Sequence, residues 1–165
     1  NPDPYGAAKL AAEVLLREDI ASGLGLTAGL SIRLPGIIGP GAARNWLATV
    51  IEKLRDGRDI GIYNPNAPFN NAVHVADIAA LAARVLAADW TGYDVVTVGA
   101  RDETTVRGAV ERLAAGLGSP SAIVVEPSRR AAFTISSDRA RERYGYDPMP
   151  INDMLDRFAA EALRP

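Results

Sequence analysis

Apolar positions along this chain switch between two spacings, and the switching predicts helices separated by short strands. From Pro4 to about Ser22 the spacing is helical, with Leu10, Val14 and Leu15 on one face and Glu13, Arg17 and Glu18 largely off it. Gly23 and Gly25 end that run. Leu26 to Arg33 reads as a strand broken by Pro35-Gly36. Asn45 to Arg55 is helical again, with Trp46, Leu47, Val50, Ile51 and Leu54 on its apolar side and Gly57 as its stop. Ile60 to Tyr63 is a short strand, and Asn64 to Pro68 is a turn-rich loop. Val73 to Val75 is extended, and Asp77 opens an apolar helix to about Ala88, where its negative charge suits the helix start.

The alternation continues to the end of the chain. Tyr93 to Val98 is a strand, and Thr104 or Thr105 caps a helix ending near Gly116 or Gly118. Ala122 to Glu126 is another strand. Ser137 or Asp138 caps a short helix, and Ile151-Asn152-Asp153 opens the last one. Strands separated by helices predict an α/β fold with a parallel sheet. No repeat, low-complexity tract or linker divides the chain into consecutive domains.

Composition narrows the class. With 165 residues, 48% of them hydrophobic, there is enough chain for one core of ordinary size. A net charge of −2 argues against a nucleic-acid or membrane surface. The absence of cysteine removes disulfides, thiolate metal sites and a cysteine nucleophile. No apolar run reaches the roughly 18 residues of a membrane span, and the cytoplasm is the expected location. The single histidine, His74, has no cluster of acids around it, so it is read as a structural residue at a strand end and no metal is expected.

The chemistry gathers at the start of the chain. Tyr5 and Lys9 are four residues apart at the head of an alanine-rich helix, a spacing that stacks them on one face. A phenol has a reference pKa of about 10, and an ammonium beside it favours the phenolate. Such a pair can exchange a proton with a substrate alcohol near neutrality. The plain alternative is two ordinary residues of a surface helix. Of the 18 positively charged residues only Lys9 and Lys53 are lysines, so a small, tunable charge is sparingly used here.

The run Tyr5-Gly-Ala-Ala-Lys9-Leu-Ala-Ala-Glu13 resembles the Tyr-x-x-x-Lys segment of the extended short-chain dehydrogenase/reductase family, the nicotinamide-dependent epimerases and dehydratases. Three later stretches follow in the family's order. Ile32-Arg33-Leu34-Pro35-Gly36-Ile37-Ile38-Gly39-Pro40-Gly41 resembles the strand and loop beside the nicotinamide. Ala72-Val73-His74-Val75-Ala76-Asp77-Ile78-Ala79 resembles the His-Val-x-Asp segment. Ser137-Asp138-Arg139-Ala140-Arg141, followed by Tyr144-Gly145-Tyr146-Asp147-Pro148, resembles the C-terminal signature. The family's glycine-rich phosphate loop is not found, because neither Gly23-Leu-Gly25 nor Gly36 to Gly41 sits between a strand and a helix in the needed register. The chain therefore reads as the C-terminal half of such an enzyme, inert on its own.

The resemblance implies an incomplete Rossmann-like parallel sheet interleaved with a small α/β substrate-binding lobe. Residues 1–35 and 71–100 would complete the dinucleotide fold, and 36–70 and 101–165 would build the lobe. It implies NAD or NADP as cofactor, Tyr5 as acid/base, Lys9 on the nicotinamide ribose, and Pro35 and Gly36 as backbone close to the nicotinamide. It also implies a homodimer through the helix that carries Tyr5 and Lys9. Two departures bear on the substrate. Pro35-Gly36 stands where many members carry an aromatic-Asn pair, and Asn70-Asn71 stands where many carry Arg-Asp. Trp46, Asn70 and Asn71 are the candidate substrate contacts, while Trp90 is read as packing. Arg129-Arg130 could clamp a phosphate, although a solvated pair is the simpler reading. The substrate is then a sugar-like alcohol or ketone, or, in the alternative, a non-sugar ketone of a carbonyl reductase; a third alternative is a non-catalytic module.

Overall fold

Capping and strand pairing account for most of the architecture, seen in a computed structural model that describes residues 3–127 and 131–164. Helix α1 (Pro4–Ser22) starts where the Asp3 carboxylate accepts from the Gly6 amide and ends at Gly23, whose φ of 65° is left-handed. It leads into strand β1 (Ala28–Arg33), and β2 (Gly36–Ile38) follows directly after Pro35. Helix α2 (Trp46–Arg55) is capped by Asn45, whose side chain accepts from the Ala48 amide at 3.0 Å. Short strands β3 (Ile60–Ile62), β4 (Pro68–Phe69) and β5 (Ala72–His74) precede α3 (Val75–Ala87). Then come β6 (Gly92–Thr97), β7 (Thr104–Thr105), α4 (Val106–Leu117), β8 (Ile123–Val125), α5 (Asp138–Tyr144) and α6 (Ile151–Ala162). Thr105 is the cap of α4, through Gly108.

The α/β expectation holds. Strand β1 pairs with β6, β2 with β5 and β3 with β8, all parallel, and only the two-residue β4–β7 pair is antiparallel. Three local readings differ. Gly36 opens a strand rather than ending one, since Gly36 to Ile38 lie in register with Ala72 to His74. Helix α3 begins at Val75, two residues before Asp77, because the His74 side chain caps it by accepting from the Ala76 amide. In α1 the stripe against the sheet holds Leu16 and Ile20, while Leu10, Val14 and Leu15 are 45%, 47% and 70% exposed. Helical spacing marks both stripes as apolar, and strand packing uses the one that meets Gly29.

The core forms two clusters. The larger is built by α2 (Leu47, Val50, Ile51, Leu54), α4 (Val110, Leu113) and α6 (Met154, Leu155, Phe158) over Ile60 and Ile62. The smaller joins Val73, Leu81, Val85, Val96 and Val98 to Ala140 and Tyr146 of the C-terminal segment. None of the 19 residues of α1 is buried. Among the described residues no helix is long and apolar enough to cross a membrane.

Two buried acids tie the layers together. Asp94 on β6 accepts from Arg139 Nε at 2.7 Å, the Tyr144 hydroxyl at 2.9 Å and the Val95 amide at 2.7 Å, and Arg143 pairs with it at 3.1 Å. Glu161 on α6 meets fully buried His74 Nε2 at 3.0 Å and Arg157 Nε at 2.8 Å. Because His74 Nδ1 accepts the Ala76 amide, its proton sits on Nε2 and is donated to Glu161. Burial works against ionising Asp94 and Glu161, yet their hydrogen bonds outweigh it and hold both below the ordinary carboxylate range. Burial raises Asp77 instead, despite the amide of Met149 donating to it.

Carboxylates depressed in the folded state stabilise it above their unfolded pKa, and that stability is lost as pH falls through the folded value. Asp77 has the opposite sign, contributing below its unfolded pKa, and offsets part of the loss. Urea midpoints should therefore fall between about pH 5 and pH 2. Asp94→Asn should flatten that acid limb and cost about 1–3 kcal/mol at neutral pH. A limb of undiminished slope in the variant would remove Asp94 as its source.

Candidate active site

The segment that carries Tyr5 and Lys9 owes its position to a missing side chain. A Cβ built on Gly29 would lie 2.5 Å from Ile20 Cδ1 and 3.2 Å from Leu16 Cδ1, so glycine lets α1 settle closely on β1. One turn nearer the helix start, Glu13 reaches Arg33 at the end of β1. Arg33 donates Nε to one carboxylate oxygen at 2.9 Å and Nη2 to the other at 2.7 Å. This fork holds Glu13 below its ordinary value and raises Arg33, and burial opposes both shifts.

Tyr5 and Lys9 lie together on this face. Lys9 Nζ sits over the Tyr5 ring, 5.4 Å from its centroid, and Tyr5 is 72% exposed. Both line an open cleft of about 450 Å³ between α1 and β1, with Glu13, Leu16, Ile32 and Arg33. No carboxylate among the described residues pairs with Lys9. The arrangement presents a phenol, a neighbouring ammonium and an apolar floor to whatever occupies the cleft.

The cleft also touches Leu34, and Pro35-Gly36 follow it into β2. A Cβ on Gly36 would meet Asn45 Cβ at 3.6 Å and the Asn71 carbonyl at 3.7 Å, ordinary contacts, so Asn45 and Asn71 wall this stretch of backbone. Asn45 was not singled out from sequence. Its amide donates to Ile37 at 2.8 Å while its oxygen caps α2, so one side chain fixes both walls beside Gly36. The readable signal was an asparagine immediately before a helical apolar run.

The candidate substrate residues cluster next to this point. Trp46, 38% exposed, packs edge-on against Phe69 with centroids 5.3 Å apart, and Phe69 immediately precedes Asn70. Asn70 exchanges two hydrogen bonds with Ile135, Nδ2 to its carbonyl at 2.9 Å and Oδ1 from its amide at 2.8 Å. Asn71 Nδ2 donates to the Phe133 carbonyl at 2.9 Å, and its Oδ1 is buried with no partner. The two asparagines thus hold the 133–135 segment against the start of β5. Asn70 also borders a second cleft, of about 290 Å³, with Arg101 and Arg141. Trp90 packs edge-on against Tyr144 at 5.6 Å, away from these groups. Arg129 and Arg130 lie outside the described residues, among which no acid or histidine cluster could hold a metal ion.

A parallel α/β fold with a Tyr-x-x-x-Lys helix seated on β1 defines a class of architecture rather than a single activity. The chain belongs to the NAD dependent epimerase/dehydratase family, whose model matches residues 2–99. Among solved structures it is similar to RMD from Pseudomonas aeruginosa complexed with NADPH, with 22% identity and a TM-score of 0.75, over 98% of this chain and 56% of that one. It is also similar to UDP-glucose 4-epimerase from Thermotoga maritima with UDP-glucose, at 23% identity and a TM-score of 0.76, over 98% and 54% of the two chains. A third likeness is to dTDP-glucose 4,6-dehydratase from Bacillus anthracis in complex with NAD, at 16% identity and a TM-score of 0.73, over 97% and 52%. The chain therefore spans about half the length of these neighbours. No curated protein matches it.

Seating of α1 on β1 through Gly29 has a direct test. Gly29→Val should force the helix outward and lower stability by about 1–3 kcal/mol, the usual cost of overpacking. A urea midpoint equal to that of the parent chain would show that α1 is not held at this contact.

Proposed function

We propose that this chain is the catalytic-helix half of an NAD(P)-dependent epimerase, dehydratase or dehydrogenase acting on a sugar-like alcohol or ketone. The observation that carries the reading is Lys9 Nζ over the ring of Tyr5, in a cleft whose lining reaches Leu34, the residue before Pro35-Gly36. Tyr5 gives or takes the proton of the substrate oxygen, and Lys9 favours its phenolate and donates to ribose hydroxyls. Pro35 and Gly36 let backbone lie close to the nicotinamide, which supplies the hydride acceptor or donor when bound. The uncommitted Lys9 ammonium in the open cleft suits that occupant. The described residues hold no glycine-rich strand-to-helix turn for its diphosphate, so the activity belongs to a longer protein and this half alone is inactive.

In this reading residues 1–35 and 71–100 serve the dinucleotide side and 36–70 and 101–165 the substrate side. Trp46, 38% exposed, faces the substrate, and Asn71 backs it, with its amide on the Phe133 carbonyl and its oxygen buried. A second copy covers α1, supported by the exposure of Leu10, Val14 and Leu15. The alternative, a carbonyl reductase on a non-sugar ketone, draws on Pro35-Gly36 and on Asn70, whose amide is bound to Ile135.

The test is Tyr5→Phe in the enzyme that contains this chain, assayed on UDP-glucose and on simple ketones. Turnover should drop about 10²- to 10⁴-fold, as loss of a general acid/base does, while NAD(P) affinity stays within about threefold. Undiminished turnover would reject Tyr5 as the acid/base. Epimer formed without net reduced cofactor favours the first reading, and stoichiometric cofactor oxidation on ketones alone favours the second.

A further inference from the structure

The spacing that stacks Lys9 on Tyr5 stacks Glu13 on Lys9 as well. A carboxylate one helical turn from an ammonium competes for it, and a pair between them would draw Lys9 from the phenol and cancel its charge there. That pair is not formed. Both Glu13 oxygens are taken by Arg33, at 2.9 and 2.7 Å, in a planar two-point fork that one ammonium cannot match. Lys9, left without a carboxylate partner among the described residues, lies over the Tyr5 ring instead.

The geometry points to Arg33 as a positioning residue for the Tyr5–Lys9 pair: by sequestering Glu13 it keeps the Lys9 ammonium available to Tyr5. The catalytic meaning of this rests on the function proposed above, but the charge arrangement does not. Among the described residues Glu13 is the one acid that lines the cleft, and nearby polar groups on α1 and the strands are already committed. Asp3, at the cap of α1, accepts the Gly6 amide at 2.7 Å, and Tyr93 on β6 donates to Ser31 on β1 at 2.9 Å. Leu16, Ile32 and Leu34 supply the apolar remainder of the cleft wall. Glu13 is therefore the acid able to intercept Lys9, and Arg33 is the residue that prevents it.

The experiment is a titration of Tyr5 in the 165-residue chain, carried out by NMR with tyrosine labelled at the ring carbon bearing the hydroxyl. Tyr5→Phe assigns the resonance. Arg33→Met should raise the apparent pKa of Tyr5 by about half a pH unit at low salt, and added salt should shrink that rise. Glu13→Gln in the same chain should restore the original value, whereas Glu13→Gln alone should not raise it. In a Lys9→Met background the Arg33→Met effect should fall to less than half. An equal effect there would mean that Glu13 acts on Tyr5 directly, and would overturn the inference. So would an unmoved Tyr5 titration in Arg33→Met. If Arg33→Met fails to fold, Arg33→Lys retains the charge without the fork and should give a smaller rise in the same direction, with no rise overturning the inference. Full turnover in Tyr5→Phe enzyme with the expected titrations would sink the catalytic reading and leave the sequestering intact. Lost turnover with unmoved titrations would do the reverse.

Discussion

A parallel strand pair cannot be closed by a hairpin, and three of the four strand pairs among the described residues are parallel. Each must be reached by a long crossover, so its partners come from distant parts of the chain. Ala28 finds Gly92, Gly36 finds Ala72, and Ile60 finds Ile123. The intervening helices then have to pack on the faces of the strands, and the connecting loops gather at the strand ends. Open α/β sheets bind ligands at the carboxyl ends of their strands for this reason. Arg33 closes β1 at such an end, with Pro35 just beyond it before β2 begins at Gly36, and the helix bearing Tyr5 and Lys9 is the one that leads into β1.

The two halves of the molecule are held by different physics. Helices α2, α4 and α6 bury whole apolar faces against one another, including Leu54, Leu113, Leu155 and Phe158. Their mutual position is set by close packing, which tolerates little volume change. Helix α1 has no buried residue and rests on the β1–β6 pair through one narrow stripe and, at Arg33, one ionic fork. An exposed pair of this kind adds little to global stability. It does fix a register, since a guanidinium meets a carboxylate at two points only in one orientation. The site helix is thus placed more by direction than by buried area.

Helices were legible in the sequence because each repeats an apolar period over several turns and ends at a capping residue or glycine, as α2 and α4 do. Strands β2, β4 and β7 are hidden because Pro35-Gly36, the turn ending at Pro68 and the Thr104–Thr105 cap read locally as breaks, whereas the equally short β3, β5 and β8 are plain apolar runs. The cap of α3 was hidden for another reason. Histidine is not a common N-cap, and His74 serves because Glu161, near the other end of the chain, fixes which ring nitrogen can accept. The motifs around Tyr5, Pro35 and His74 revealed the family. They could not reveal that Asn70 and Asn71 are engaged by Ile135 and Phe133, since nothing local in either segment marks the contact.

That engagement bears on what a substrate meets. An arginine at position 70 would bring a mobile charge to this corner. An asparagine brings an amide whose oxygen and one N–H are both satisfied by the backbone of Ile135. Such an amide holds a wall and has little left to offer a phosphate. The cations lining the adjoining cleft are Arg101 and Arg141, and Arg101 already pairs with Asp147 at 3.2 Å. Beside Gly36 the Asn71 oxygen is buried, and the accessible surface is aromatic, Trp46 supported by Phe69. An aromatic face suits the hydroxylated or carbonyl-bearing part of a substrate better than an anionic one. On the proposed function, this corner therefore grips the reacting portion of the substrate, and recognition of any diphosphate falls to other residues.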